Sequence, residues 1–324
     1  MPNILFASNN IAHFPTSVSG SLAGTFDDSR VPYSIALSNH ELVNSPIFVP
    51  TTNENTWFNF RTYSNTTDDN HDTTYFQCYD ASGNLLVELK KLLSTDDLLS
   101  RVILHNGTTT NEADSTIPMT LNKMNIVSIH LRVTSLLIEL DLYINQSLSA
   151  SVAFASNPNS FGDPVRFSIG SAFVDSPTDT QYYSEIMVAD GDTRNGRLDL
   201  LRPDATGANS DWLGSLGVLA DDDTTTGLTT VSAAQRQTML MTAYTGAANI
   251  SNFVSVSSTT RGANSPTGLQ HTVRLSGINY DGAVHPIDFA LSYQLTDFNV
   301  NPATSLPWHG DDLSLIETGF VSVA

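Results

Sequence analysis

The chain has 324 residues, of which 40% are hydrophobic and 15% are charged, so it can form two folded domains and lacks the composition of a disordered protein. Its 33 acidic and 14 basic residues give a formal charge of −19, which disfavours binding to nucleic acid or anionic lipid. No basic and apolar leader is visible at the N-terminus, and no apolar run reaches the ~20 residues needed to cross a membrane. We therefore expect neither a signal peptide nor insertion into a membrane.

Alternating apolar and polar residues predict strands through the first 200 residues. A turn rich in Asp, Ser, Gly and Asn at 80–84 separates two of them, which predicts a hairpin. The predicted strands are 57–63, 74–79, 85–89, 101–105, 126–133, 137–144, 149–154, 165–169 and 183–188. Short strands between turns, with almost no helical periodicity, predict an all-β sandwich.

A run of Pro, Asp, Thr and Gly near 202–207 predicts a domain boundary, which gives a larger domain at 1–203 and a smaller β-rich domain at 204–324. Segment 233–243 fits either a strand or one short helix. Further strands are expected at 253–259, 270–275 and 287–295.

The end of the chain has the pattern of one short helix. Asp311 is a good N-cap, and Gly319 is a good residue to follow a helix. The apolar residues between them are Leu313, Leu315 and Ile316. We therefore predict a short C-terminal helix after the last strands.

Two carboxylates, Glu139 and Asp141, lie two residues apart in a predicted strand, so both should face the same side of a sheet. A retaining glycosidase needs a nucleophile and an acid/base about 5 Å apart. The third carboxylate of such a strand would fall at Tyr143 or Ile144, and neither side chain can replace it. The sequence therefore predicts a protein that is not an enzyme, with glycan cleavage as the less favoured alternative.

Two acidic segments are candidates for calcium, which binds carboxylate and carbonyl oxygens in loops. In loop 68–72 the candidate ligands are Asp68, Asp69 and Asp72. Segment 190–196 begins like a calcium-binding EF-hand loop, but Arg194 occupies a ligand position and Asn195 replaces the required glycine. The favoured interpretations are a solvated loop and a turn, so no cofactor is predicted and calcium stays an alternative.

The three tryptophans are candidates for contacts with a partner protein or a sugar ring. They are Trp57, Trp212 and Trp308. Packing in a core or an interface is the more common use of such residues. The single cysteine, Cys78, cannot form an internal disulfide and is expected to be a small buried hydrophobe.

Most of the first 200 residues resemble a laminin-G/concanavalin-like jelly roll. The segments that carry the resemblance are the hairpin 76–80 and 85–89, the hairpin 126–133 and 140–148, and the closing strands 167–170 and 183–190. Gln146 stands where the family usually has glycine. These patterns imply a fold more than a function.

A second set of segments consists of 183–203, Trp212, 221–223, 301–304, Trp308 and 315–320. The order of these pieces resembles that in phage tail and virion structural proteins, over most of the chain. Ser305 replaces the more common glycine. The resemblance implies a tail, fibre or capsid-surface protein that is assembled in the bacterial cytoplasm and packs against other virion proteins and further copies of itself, with a trimer as one symmetric arrangement. The alternative function is a carbohydrate-binding module for host attachment, which predicts an exposed aromatic side chain on a sheet face or loop rim.

Overall fold

A computed structural model describes residues 2–8, 14, 18–20, 25–38, 41–64, 73–93, 98–172, 180–219, 225–314 and 316–324. Nearly all regular structure in these residues is antiparallel β-strand, which confirms the predicted all-β fold class. The contacts divide the chain into two compact units, Pro2–Leu198 and Asp199–Ala324. The sequence placed this division between residues 203 and 204.

The first unit is a sandwich of two sheets. Its strands are β1 (Ile4–Ser8), β2 (Val18–Gly20), β3 (Ser34–Ser38), β4 (Glu41–Asn44), β5 (Asn55–Ser64), β6 (Thr73–Asp80), β7 (Leu85–Leu93), β8 (Leu98–His105), β9 (Thr110–Asp114), β10 (Met124–Val133), β11 (Ile138–Ile144), β12 (Ser147–Phe154), β13 (Pro164–Ala172) and β14 (Thr180–Ala189). The larger sheet has the order β12-β11-β10-β5-β14-β3-β2, with β1 also paired to β14. The smaller sheet has the order β4-β13-β6-β7-β8-β9.

Aromatic side chains from both sheets meet in the core between them. Phe58 of the larger sheet packs edge-on against Phe76 of the smaller sheet, with ring centroids 5.2 Å apart. Phe6 contacts Phe167 in the same way at 5.3 Å. Burial of these rings is the main driving force that holds the sheets together.

Strand β11 shows how the sequence determines which side chains face outward. Its four aliphatic residues are fully buried, and they are Ile138, Leu140, Leu142 and Ile144. Successive side chains of a strand point to opposite faces, so Glu139, Asp141 and Tyr143 must lie on the outer face of the larger sheet. The predicted alternation therefore places these three polar side chains together on the outer face of the larger sheet.

The second unit contains a five-stranded sheet and two strand pairs. Its strands are β15 (Pro203–Ser210), β16 (Arg236–Met241), β17 (Asn249–Ile250), β18 (Phe253–Thr259), β19 (Gly268–Leu275), β20 (Ile278–Pro286), β21 (Ser292–Phe298), β22 (Trp308–His309) and β23 (Glu317–Val323). The five-stranded sheet has the order β15-β16-β23-β19-β20, and the pairs are β17-β22 and β18-β21. The segment that fitted a strand or a helix is thus the strand β16.

The predicted C-terminal helix needs correction. A single 3-10 turn covers Gly310–Leu313, and His309, not Asp311, caps it, in a reciprocal capping box with Asp312. The prediction that Gly319 follows a helix is wrong, because Gly319 lies within β23, between β16 and β19. Strand β23 pairs on both sides with strands from distant parts of the chain, and five successive residues of it are buried, so this pairing overrides the local helical pattern.

Within the described residues, no helix is long and apolar enough to cross a membrane. Cys78 is a buried free thiol in β6, and burial raises its pKa well above the ordinary value. The thiol therefore behaves as the small buried hydrophobe that the sequence predicted.

Candidate functional site

The outer face of the larger sheet brings together side chains from three adjacent strands. His130 on β10 lies directly opposite Trp57 on β5 and, on the other side, opposite Asp141 on β11. Tyr143 follows on the same face of β11. Residues directly opposite one another in an antiparallel sheet have Cβ atoms about 5 Å apart, so these side chains are in contact.

The rings of this face form a stack. The imidazole of His130 lies parallel to the indole of Trp57, with centroids 4.4 Å apart and planes at 10°. Tyr143 stacks on the same indole at 5.8 Å and 29°. His130 is held in this orientation by a 3.0 Å hydrogen bond between its Nε2 and Oδ1 of Asn55.

The segment after β14, residues 190–198, lies against one side of this face. The side-chain Nδ2 of Asn59, on β5, donates a short hydrogen bond to the backbone carbonyl oxygen of Thr193. Both residues are buried by this contact. The segment therefore forms a fixed wall beside the aromatic stack.

Arg194 of this segment completes the stack. Its guanidinium lies 4.4 Å from the centre of the Tyr143 ring and 5.3 Å from that of Trp57, which is cation–π geometry. Asp192 accepts hydrogen bonds from the same guanidinium at 2.5 and 3.0 Å and so orients it. We call this group the Tyr143 platform, which consists of Trp57, His130, Tyr143 and Arg194.

Glu185 anchors the wall to the sheet. It lies at a register shift of β14, has a positive φ of 49° and is 2% exposed. Its carboxylate accepts hydrogen bonds from Nε of Arg61 at 2.7 Å, from Nε and Nη2 of Arg197 at 2.8 and 2.9 Å, and from the Leu198 amide at 3.2 Å. Arg197 also donates to Asp27 at 2.7 Å. A non-glycine residue with left-handed backbone dihedrals is strained. A bulge of this kind in a strand changes the direction in which a side chain points.

The charges at the platform follow from partial burial. Burial lowers the pKa of His130 despite the opposing effect of Asp141, so the imidazole is neutral at pH 7. Hydrogen bonds from Arg194 lower the pKa of Asp192, which keeps that group a carboxylate. Burial, reinforced by Asp141, raises the pKa of Tyr143, so its hydroxyl stays protonated.

The two carboxylates singled out in the sequence lie on the platform face, as their spacing predicted. Glu139 is 3.7 Å from the guanidinium of Arg132, and Asp141 is 3.7 Å from Nδ1 of His130. The third position of the strand is Tyr143, whose raised pKa does not suit a general base at neutral pH. Each of the two carboxylates of β11 thus lies beside a basic side chain of β10, which is His130 for Asp141 and Arg132 for Glu139.

The other two tryptophan candidates serve packing in the second unit. Trp308 is 2% exposed and donates a 2.5 Å hydrogen bond from Nε1 to the carbonyl of Phe298, so its indole lies in the core of the second unit and is not open to a sugar ring. Trp212 packs edge-on against Phe320 at 4.6 Å and donates to the Gln235 carbonyl at 3.0 Å. Both indoles use their polar edge within the protein.

The calcium candidates Asp68, Asp69 and Asp72 lie outside the described residues. Among the residues that the structure describes, no group of three or more His, Cys, Asp or Glu side chains is arranged to hold a metal ion.

A second polar network occurs in the second unit. Its centre is His271 on β19, whose Nε2 is 2.8 Å from Oγ of Ser257 and whose Nδ1 is 2.9 Å from Oγ1 of Thr296. The Thr296 hydroxyl is also 2.7 Å from Nε2 of His285, and these last two residues line a groove of about 620 Å³. Burial lowers the pKa of His271 to about 3, so it is uncharged at all ordinary pH values.

Three of these functional residues could not be found from the sequence. His130, Glu185 and Arg61 carry no local motif, and Glu185 is 124 residues away from Arg61. Arg194 was visible only as the residue that spoils a calcium-loop pattern. The sequence identified Trp57 and Asp141 as candidates, but it did not show that the two residues belong to one site.

No protein-family model and no curated protein matches the sequence. Among solved structures, the chain is similar to the receptor-binding domain of botulinum neurotoxin type G, at 12% identity and a TM-score of 0.37, over 57% of this chain and 43% of that one. It is also similar to the CBM2 module of the evolved Dit of Lactobacillus casei BL23 phage J-1, at 9% identity and a TM-score of 0.38, over 59% of this chain and 97% of that one. The carbohydrate recognition domain of Emp47p matches at 8% identity and a TM-score of 0.39, over 59% of this chain and 95% of that one. These likenesses concern the β-sandwich architecture alone.

Proposed function

We propose that the protein is a non-enzymatic, carbohydrate-binding component of a bacteriophage particle and that the Tyr143 platform is its glycan contact. The observation that carries the glycan-binding part is the half-buried ring of Tyr143 on the outer sheet face, where Trp57 stacks with it and the Arg194 guanidinium lies over part of it. The placement in a phage particle rests on the sequence resemblance to virion structural proteins.

The platform provides both kinds of contact that a sugar requires. The C–H face of a pyranose ring can pack on the part of the Tyr143 ring that remains exposed, and the Tyr143 hydroxyl and the Arg194 guanidinium can meet ring hydroxyls at its edge. Because Asp192 fixes the guanidinium through two hydrogen bonds, little side-chain entropy is lost on binding. A rigid aromatic ring with a few fixed polar groups is the usual composition of a small-ligand site.

The absence of turnover is part of the proposal. Asp141 and Glu139 lie beside His130 and Arg132, and the remaining position of β11 carries a phenol in place of the carboxylic acid that glycoside hydrolysis needs. We therefore expect the purified protein to bind oligosaccharides and leave their glycosidic bonds intact.

The experiment is a glycan array followed by titration calorimetry with the full chain. Tyr143→Ala should weaken the best glycan about tenfold, the loss expected for one aromatic contact worth ~1.4 kcal/mol. Phe289→Ala is the matched control, because Phe289 is an exposed aromatic residue of the second unit and should leave the affinity unchanged. Failure of the unaltered protein to bind any glycan, or equal losses in both variants, would contradict the proposal.

A second candidate function is oligomeric packing within the virion. It is favoured by large apolar side chains that lie exposed on the second unit, namely Ile278, Val284, Phe289, Leu291 and Leu306. Exposed apolar side chains of this size suit contacts with other proteins. Mass photometry of the full chain and immunoblotting of purified particles test this function, and a protein that stays monomeric at high concentration and is missing from particles would contradict it.

A further inference from the structure

We infer that the Tyr143 platform selects uncharged, hydroxyl-rich sugars and discriminates against uronates and other anionic glycans, an inference that rests on the proposed function. The charged groups next to Tyr143 are the carboxylates of Asp141 and Asp192 and the guanidinium of Arg194, and the Arg132–Glu139 pair lies further along the same face. Acidic groups therefore outnumber cationic ones at the site, within a chain of net charge −19.

The two guanidiniums are already neutralised by carboxylates of the protein. Arg194 uses Nε and Nη2 to bind Asp192, with distances of 3.0 and 2.5 Å. That fork is the arrangement with which arginine recognises a carboxylate, so it is not available to a ligand carboxylate. Arg132 lies 3.7 Å from Glu139 across the strand pair.

The third basic side chain, His130, adds no positive charge at neutral pH. Its ring is stacked on Trp57, and its Nε2 is occupied by Asn55. Partial burial in this stack lowers its pKa, so the imidazole is neutral at pH 7.

Asp141 retains the capacity to accept hydrogen bonds. Its nearest basic atom is Nδ1 of His130 at 3.7 Å, which is beyond hydrogen-bonding distance, and its side chain is 23% exposed. It lies next to Tyr143 on the same face of β11. A carboxylate in this position is a good acceptor for two adjacent hydroxyls of a sugar that is stacked on the tyrosine ring.

A uronate would place its own carboxylate among these groups. Two like charges about 4 Å apart repel, and the repulsion grows as the ligand displaces water from the face. The ligand carboxylate would gain little in compensation, because Asp192 and Glu139 already offset the charge of both guanidiniums and Asp192 occupies the Nε–Nη2 edge of Arg194. We expect a uronate to bind at least about tenfold more weakly than the neutral sugar with the same ring stereochemistry.

The test compares matched ligands that differ only at carbon 6. The probes are gluco-, galacto- and manno-configured oligosaccharides and their uronate counterparts, titrated into the full chain at pH 7 and fixed low salt. The decisive variant is Asp192→Asn, which removes one negative charge and frees the Arg194 fork. It should raise the affinity for the uronate about tenfold and leave the neutral counterpart within about threefold.

The matched control is Asp114→Asn, because Asp114 also binds an arginine, Arg101, in an exposed pair, but on the smaller sheet. It should change neither affinity. The inference is supported if the unaltered protein binds a neutral probe more tightly than its uronate counterpart and if Asp192→Asn, but not Asp114→Asn, reduces this preference. A uronate that binds as tightly as its neutral counterpart overturns the inference and leaves glycan binding standing, whereas binding of no probe overturns the proposed function as well.

Discussion

The two units each contain a histidine in a polar network, and the two networks differ in what surrounds them. His130 lies on an open sheet face, stacked on Trp57 and close to Asp141. His271 is 1% exposed, and both of its nitrogens are hydrogen-bonded to hydroxyl groups, those of Ser257 and Thr296. The first network mixes charged groups with aromatic rings at a surface, whereas the second is enclosed.

This difference teaches that burial, more than residue type, decides what a histidine network can do. The Tyr143 platform leaves a tyrosine ring and a carboxylate accessible to a ligand. The network around His271 joins β19 to β18 and β21, so it connects the five-stranded sheet to a strand pair and satisfies buried polar atoms. We therefore expect changes at the platform to affect binding and changes at His271 to affect stability.

The largest expected effect is at the anchor of the platform wall. Glu185→Ala removes the carboxylate that holds Arg61 and Arg197, and Arg61 is buried. Leaving a buried charge without its partner costs about 3–5 kcal/mol. Urea denaturation should show this loss in the first unit, and glycan affinity should fall with it.

The control for this change is Glu139→Ala, because Glu139 pairs with an arginine on the same sheet but is partly exposed. It should cost no more than about 1 kcal/mol. Equal losses in the two variants would show that Glu185 has no special anchoring role.

The enclosed network predicts a pH dependence of the stability of the second unit. The folded pKa of His271 is about 3, below the ordinary 6.5, so the unfolded chain binds more protons in that interval and stability falls as the pH decreases. Between pH 6.5 and pH 4 this group should remove about 3 kcal/mol from the free energy of unfolding of the second unit.

Native-state hydrogen exchange of the β19 amides measures this dependence. In His271→Asn the side chain still forms hydrogen bonds but no longer titrates. The free energy of unfolding of the second unit should therefore change less with pH in this variant, and it should be lower at pH 7. An unchanged slope in that variant would assign the acid sensitivity to another group, of which the neighbouring His285 is the first to test, since burial lowers its pKa too.

A smaller effect is expected from Arg194→Lys on the open face. Lysine keeps the charge but loses the planar fork and the stacking over Tyr143, interactions worth about 1 kcal/mol at such a site. Calorimetry should show an affinity lowered about fivefold, with stability changed by less than about 0.5 kcal/mol. A large loss of stability would mean that Arg194 belongs to the structural part of the wall.

The smallest effect is expected from Arg132→Ala. Arg132 is exposed and Glu139 is partly exposed, and ion pairs at the surface contribute about 0–1 kcal/mol. If the platform rejects anions through its negative charge, this variant should discriminate against uronates slightly more than the unaltered protein. Weaker discrimination would contradict that explanation.

Part of the candidate site could be predicted because it depends on local sequence. The alternation of Glu139, Asp141 and Tyr143 with aliphatic residues predicted both the strand and the shared face. The C-terminal helix was predicted wrongly from equally local signals. The segment that follows His309 forms only one 3-10 turn before β23, whose position is fixed by pairing with β16 and β19.

The sequence by itself determined the all-β fold class, the acidic charge and the outward face of β11, because composition and the two-residue period of a strand are properties of short segments. Only the tertiary structure decided that His130 lies between Trp57 and Asp141, that Arg194 covers Tyr143, and that Glu185 holds Arg61. These contacts join residues far apart in the chain. Their geometry follows from strand order, register and a bulge, which arise when the whole core packs and leave no mark in any one segment.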